Sequence, residues 1–145
     1  MMGKILGHAA ASLLTMSATS WAATPDEAEA GSRAIILDMQ RNGCAYCVDM
    51  HTKEARRDGL SEQWINLICV WRDSPVFDAR ERAILGYTEA LTDISQTHAP
   101  DADFEPLRSH FTEAEITRIS VAIGTINVWS RLCVGFRSQH PVDGL

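Results

Sequence analysis

The sequence predicts an all-α fold, a compact domain of six or seven helices, and three observations carry that prediction. Apolar side chains recur at i, i+3, i+4 and i+7 over most of the chain, and no alternating stretch is bounded by paired turn signals. Helix-ending residues fall at short intervals, at Asn42-Gly43, Asp58-Gly59, Ser74-Pro75, Ala99-Pro100 and Pro106. Between them stand helix-opening signals, a capping residue with an acid three positions on, at Asp78 with Glu81 and at Thr112 with Glu115. A chain of 145 residues, 46% apolar and 22% charged, fits one domain over 1–145 with a motif-bearing core of about 26–137.

The elements follow in order. Residues 1–23 carry one formal charge, Lys4. Leu6, Ala10, Leu13, Leu14 and Ser17 fall at helical spacing and are read first as a core helix that breaks at Thr24-Pro25, which places the protein in the cytoplasm. The same stretch, closing on the small-x-small run Ser20-Trp21-Ala22, has a second reading as a signal peptide, which would make the protein secreted or periplasmic. A helix over about 26–41 opens on the acids Asp26-Glu27, carries Ile35, Ile36 and Met39 on one stripe, and stops at Gly43. The next runs from Cys44 to about Arg57. Ser61 opens a third with Ile65, Leu67, Ile68, Val70 and Trp71, a mostly apolar surface suited to a buried element that stops before Ser74-Pro75.

Asp78 then caps a helix whose Ala83, Ile84, Tyr87, Ala90, Leu91 and Ile94 keep core spacing. The acidic runs Asp26-Glu27-x-Glu29 and Asp101-x-Asp103-x-Glu105 read as solvated helix starts. Thr112 begins the last helix, which carries Ile116, Ile119, Ser120, Ile123, Ile126 and Asn127 on one face and runs to about Phe136.

Thirteen basic against nineteen acidic side chains leave a net charge of −6 and a pI near 5.3. That is the wrong sign for tracking phosphate backbones, so no nucleic-acid partner is expected. No run of eighteen apolar residues occurs, so no membrane span is expected either. Four cysteines are too few for a disulfide scaffold. Cys69 and Cys133 stand alone among apolar neighbours and read as small hydrophobes, which leaves the pair Cys44 and Cys47.

Asn42-Gly43-Cys44-Ala45-Tyr46-Cys47-Val48-Asp49-Met50-His51 packs two thiols and an imidazole into a helix start. Cys44 and Cys47 are i, i+3 across a first turn, close enough for a disulfide, and Cys47 and His51 are i, i+4 on one face, so all three side chains are expected to converge. Helix N–H groups favour thiolate, and an adjacent His can take or return the proton. A c-type haem site needs His directly after the second Cys, where Val48 stands. Zinc would draw a fourth ligand from His8, His98, His110 or His140, without the second short-spaced pair that structural sites bring. The remaining reading makes the cysteines buried structural residues with His51 hydrogen-bonded in the core. A redox dithiol is the leading reading, with no cofactor.

The run Asn42-Gly43-Cys44-Ala45-Tyr46-Cys47-x-Asp49-Met50-His51-Thr52-Lys53-Glu54-Ala55 resembles the core motif of the AhpD-like alkylhydroperoxidase branch of the carboxymuconolactone decarboxylase family. Trp71-Arg72-Asp73-Ser74-Pro75-x-Phe77, Glu81-Arg82-Ala83 through Thr88-Glu89-Ala90-Leu91-Thr92, and Ile126-Asn127-x-Trp129-x-Arg131-Leu132 are similar to it as well. Together they span about 34–137. The resemblance implies an all-α homo-oligomer, often a trimer or hexamer, that reduces hydroperoxides through the CxxC pair and is reset by an external dithiol or thiol-protein. It implies Cys47 as the attacking thiol, Cys44 as the resolving thiol and His51 as the proton-relay imidazole. The chain departs from the peroxidase members at Ser32, where the relay's terminal Glu would stand, and at Tyr46, where some of them carry His. Glu29 or Asp38, on the same expected helix, are the candidate substitutes for that acid.

Two other functions fit the same residues. One is a decarboxylase or isomerase of a small carboxylated lactone, with His51 as acid/base and the thiols incidental; Arg131, near Asn127, would then bind the anionic substrate or else simply pair with an acid. The other is a non-enzymatic redox-sensing oligomer. Trp64, Trp71, Trp129, Phe77 and Phe136 read as core or interface rather than as a substrate pocket.

Overall fold

A computed structural model describes residues 25–142. Seven α-helices occupy them, with no strand among the described residues: α1 Pro25–Arg41, α2 Ala45–Arg57, α3 Glu62–Leu67, α4 Ala79–Thr92, α5 Ile94–Thr97, α6 Asp101–Arg108 and α7 Glu113–Gly135. The all-α expectation holds. Both readings of residues 1–23 lie outside the described residues.

Both expected capping boxes form. Asp78 Oδ1 accepts from the Glu81 N–H at 2.8 Å while Glu81 Oε2 accepts from the Asp78 N–H at 2.9 Å. The Thr112 N–H likewise donates to Glu115 Oε2 at 2.6 Å, and Thr112 Oγ1 accepts from the Glu115 N–H at 3.3 Å. Each box satisfies two N–H groups that a helix start would otherwise leave bare. Ser61 caps α3 through the Trp64 N–H.

Three expectations change. The apolar run after Ser61 does not make one helix: α3 passes into a 3₁₀ segment, Ile68–Asp73, with non-helical backbone at Val70. Val70 is 51% exposed and Cys69 is exposed, so this element buries only one side, that of Ile68 and Trp71. Ile94 leaves the α4 stripe because Asp93 ends that helix, and it is exposed on α5. Pro106 does not end a helix; it lies within the last turn of α6, where few N–H bonds are left for its ring to break.

α1 is the central element and packs against α7, α4 and α2. Ala30 and Ala34 face a core with Ile84, Tyr87, Leu107, Phe111, Ile119 and Ile123, their small side chains letting helices approach closely. Ile36, Leu37 and Met39 face a second core that holds Cys44, Cys47, Trp64, Ile68, Trp71, Phe77 and Cys133. The aromatics Trp64, Trp71 and Phe77 are therefore core, with Trp64 and Phe77 edge-on at 5.4 Å, while Phe136 is exposed.

Polar side chains tie the end of α1 to its neighbours. Asp38, fully buried, accepts from Thr92 Oγ1 of α4 at 2.6 Å, from Asn42 Nδ2 at 3.0 Å, and from Asn127 Nδ2 of α7. Asn127 in turn accepts from Arg131 Nη1. Three residues on, Arg41 donates to Glu89 of α4 at 2.9 Å and pairs with Asp93, and Glu89 also holds Arg72. Burial pushes the Asp38 carboxyl up to about 6, against the opposing pull of its hydrogen bonds to Thr92, Asn42 and Asn127 and of the Arg131 charge.

A buried acid raised in this way favours the folded state most when protonated. Its contribution is complete below the unfolded carboxylate value of about 3.9 and is lost as pH rises through about 6. The stability advantage of wild type over Asp38→Asn should therefore shrink between pH 4 and 6 and stay level above. Urea unfolding of both proteins across that range checks it; a constant difference would contradict the assignment. Asp38→Ala, which strands three donors, should cost about 3–5 kcal/mol.

Candidate active site

Three residues of turn separate α1 from α2, and their geometry sets where the first sulfur stands. Gly43 has φ +65°, the left-handed conformation that glycine adopts without a Cβ penalty. Around it the Cys44 N–H reaches the Met39 carbonyl and the Gly43 N–H the Gln40 carbonyl, both at 3.1 Å, closing the end of α1 in a Schellman motif. Cys44 follows as the N-cap of α2, and its Sγ accepts from the Cys47 N–H at 3.3 Å. A helix start presents unpaired N–H groups and partial positive charge, so a thiolate at Cys44 gains stabilisation there.

Cys44 and Cys47 form a disulfide with Cα atoms 5.3 Å apart. Both are buried, at 1% and 0% exposure. The expected i, i+3 pairing across the first turn is present.

His51, one helical turn beyond Cys47, is mostly buried. Its Nδ1 lies 2.7 Å from Glu54 Oε2, and its buried Nε2 has no hydrogen-bond partner among the described residues. Hydrogen bonding to His51 holds the Glu54 carboxyl below the usual carboxylate range, so Glu54 stays an anion and accepts a hydrogen bond from Nδ1–H. That bond selects the tautomer in which Nε2 carries a lone pair. Sequence reasoning quoted Glu54 within the motif but gave it no role, although its i, i+3 spacing from His51 was available.

Among the described residues, the ligand atoms that gather within 4.8 Å of one another are the sulfurs of Cys44, Cys47 and Cys133, all buried. His51 is not in that group, so the three side chains expected to converge do so only in part. Cys133 is corrected from an isolated hydrophobe to a neighbour of the pair, carried there by α7, and Cys69, read as a small hydrophobe among apolar neighbours, is exposed. The proposed zinc histidines do not join them: His98 and His110 are exposed, the His140 ring bonds the Pro141 carbonyl, and His8 lies outside the described residues.

Of the two candidates for the missing acid, Asp38 is engaged away from the dithiol. Asp38 has both oxygens engaged by Thr92, Asn42 and Asn127, which makes it a structural hub. The side chain of Glu29 lies outside the described residues. Ser32 is half-buried on α1, and Tyr46 packs against the core that holds the cysteines. Arg131 is occupied by Asn127, as a tie between residues of one helix.

Two surface clefts, of about 510 and 360 Å³, are lined by residues of α6 and α7 and by residues around Gly59 and Trp64. No cysteine and no His51 lines either. Among the described residues, no helix is long and apolar enough to cross a membrane.

Comparison with known proteins adds four findings. The profile of the carboxymuconolactone decarboxylase family matches residues 39–90. YdfG of Bacillus subtilis, an uncharacterised protein, is 35% identical over 100 residues, covering 69% of this chain and 68% of that one. YnjA of Escherichia coli, also uncharacterised, is 34% identical over 103 residues, 70% of this chain and 54% of that one. A crystal structure from Agrobacterium tumefaciens, of a protein of unknown function described as a candidate antioxidant defence protein AhpD, superposes with a TM-score of 0.81. It is 51% identical, over 94% of this chain and 91% of that one.

If Glu54 sets the His51 tautomer, Glu54→Ala should slow the reaction of the reduced protein's Cys47 with a small disulfide reagent by roughly tenfold at neutral pH. Stopped-flow thiol kinetics measures this, and an unchanged rate would separate the carboxylate from the chemistry.

Proposed function

Because the chain belongs to the carboxymuconolactone decarboxylase family and has the fold of its AhpD-like neighbour, we propose that it is a thiol-dependent peroxidase that reduces hydroperoxides. The observation that carries this reading is the Cys44–Cys47 disulfide at the N-terminus of α2. A helix start activates thiolates, and a dithiol that closes within one turn can store two electrons reversibly.

Cys47 is the attacking sulfur. His51 shares its helix face, and its Nε2 lone pair, fixed by the Glu54 bond, takes the Cys47 proton. The thiolate attacks the terminal oxygen of ROOH, giving Cys47 sulfenic acid and releasing ROH once a proton is delivered. Cys44 then attacks the sulfenic sulfur, and the disulfide forms with loss of water. Two thiols of an external dithiol reset the pair. Attack of that reductant on Cys47 expels Cys44, which leaves well because the Cys47 N–H already points at its sulfur. Glu54 acts through His51 and so is a positioning residue in place of the acid absent at Ser32.

The working form is a homo-oligomer with the cytoplasm as its compartment. Exposed apolar side chains on α7, Val121, Val128 and Leu132, at 44%, 56% and 41%, support association through that helix.

Turnover of an organic hydroperoxide with dithiothreitol as reductant tests the function. Cys47→Ser should abolish it, Cys44→Ser should lower it at least tenfold, and His51→Ala should lower it by about 10²-fold or more. Full activity of both cysteine variants toward a carboxylated lactone, with none toward hydroperoxides, would favour the decarboxylase reading instead. Stoichiometric oxidation without turnover would favour a redox sensor.

A further inference from the structure

We propose that Cys133 is a second resolving thiol, able to take Cys44's place as the disulfide partner of Cys47. The proposal rests on the reading of Cys47 as the redox sulfur. Its first support is position: the Cys133 sulfur lies within 4.8 Å of both sulfurs of the disulfide, and all three are buried. From there to an S–S bond of about 2.05 Å is a displacement of roughly 3 Å, the scale of a side-chain torsion change.

The second support is the environment that α7 builds around this thiol. α7 ends in a Schellman motif, in which the Ser138 N–H reaches the Cys133 carbonyl at 2.9 Å and the Arg137 N–H the Val134 carbonyl at 3.2 Å. The motif needs a left-handed residue, and Arg137 fills that position with φ +57°. A Cβ-bearing residue is strained there, and the Arg137 Nη1 donates to the Val134 carbonyl at 3.3 Å across the same turn. Burial pushes the Cys133 thiol up and keeps it protonated, and the Ser138 side chain that the turn lays against its sulfur offsets this only in part, so the thiol gives up its proton as it attacks.

The third support is the leaving group. When Cys133 attacks Cys47, the sulfur displaced is Cys44, which the Cys47 N–H stabilises at the N-cap. The exchange balances without any oxidant: the Cys133 S–H and the Cys44–Cys47 bond become a Cys47–Cys133 bond and a Cys44 S–H, the proton passing from one sulfur to the other. From the sulfenic acid the same partner forms the bond with loss of one water. Either route replaces a disulfide local to α2 with one that ties α2 to α7 across 86 positions of chain.

The test uses Cys44→Ser/Cys69→Ser protein, which keeps Cys47 and Cys133 as its two thiols. The reduced protein is oxidised with diamide, which joins any two thiols within reach regardless of peroxidase chemistry. Expected are loss of both thiols in monomeric protein and a linked peptide pair containing Cys47 and Cys133. Cys133 still alkylatable while Cys47 forms mixed or intermolecular disulfides would overturn the proposal. If the double variant does not fold, oxidised wild type is alkylated and mapped: Cys44 labelled together with a Cys47–Cys133 peptide supports exchange, and label confined to Cys69 and Cys133 overturns it. A parallel arm replaces diamide with one equivalent of cumene hydroperoxide. A Cys47–Cys133 link formed by diamide and not by the hydroperoxide upholds the third thiol and rejects the peroxidase reading.

Discussion

A buried carboxylate fixes the geometry on which the rest depends. Asp38 draws hydrogen bonds from α4 through Thr92, from α7 through Asn127 and from the end of its own helix through Asn42. Burying an acid is unfavourable, and burial raises its pKa to about 6, so each donor is needed and none can be moved freely. The consequence is positional. The chain turns at Gly43 immediately after this hub and enters α2 at Cys44, so the locked end of α1 determines where the first sulfur is presented. Arg41, held by Glu89 and Asp93, pins the same end from the other side.

The dithiol built on this platform divides its electrostatics between two residues. Cys44 sits at the helix start, where the Cys47 N–H meets its sulfur. Cys47 lies one turn before His51, whose proton position is set by Glu54. A sulfur that leaves easily and a sulfur with a base one turn away are complementary properties, suited to opening and closing one bond. The acid that meets His51 is Glu54, three residues on along the same helix.

Burial gives this arrangement its other character. The three sulfurs lie in the same core as Met39, Ile68, Trp71 and Phe77, away from the clefts on the surface. A buried site strengthens hydrogen bonds and charge interactions, and it limits which thiols can meet. Selectivity among sulfurs then becomes a matter of which helices pack together, and α7 brings Cys133 where no neighbour along the chain could.

Much was legible in the sequence because much of the structure is local. Capping boxes at Asp78 and Thr112, the turn at Gly43, the CxxC pair and the His51 face all arise from interactions within about five residues, where spacing alone determines geometry. Three expectations changed where periodicity did not show the backbone breaks: Val70 and Ile94 turn outward because the chain kinks or the helix ends beside them, and Pro106 is accommodated in a final turn. Asp38 was visible as an acid on a helix, yet its role as a hub depends on Thr92 and Asn127, 54 and 89 positions away. Cys133 looked like a solitary apolar residue because nothing within a few positions betrays a contact across α7. The sequence by itself determined the capped helix starts and the CxxC pair at the start of α2, through short-range hydrogen bonding and periodicity. Only the tertiary structure decided which side chains share a buried space, since that follows from how the helices pack.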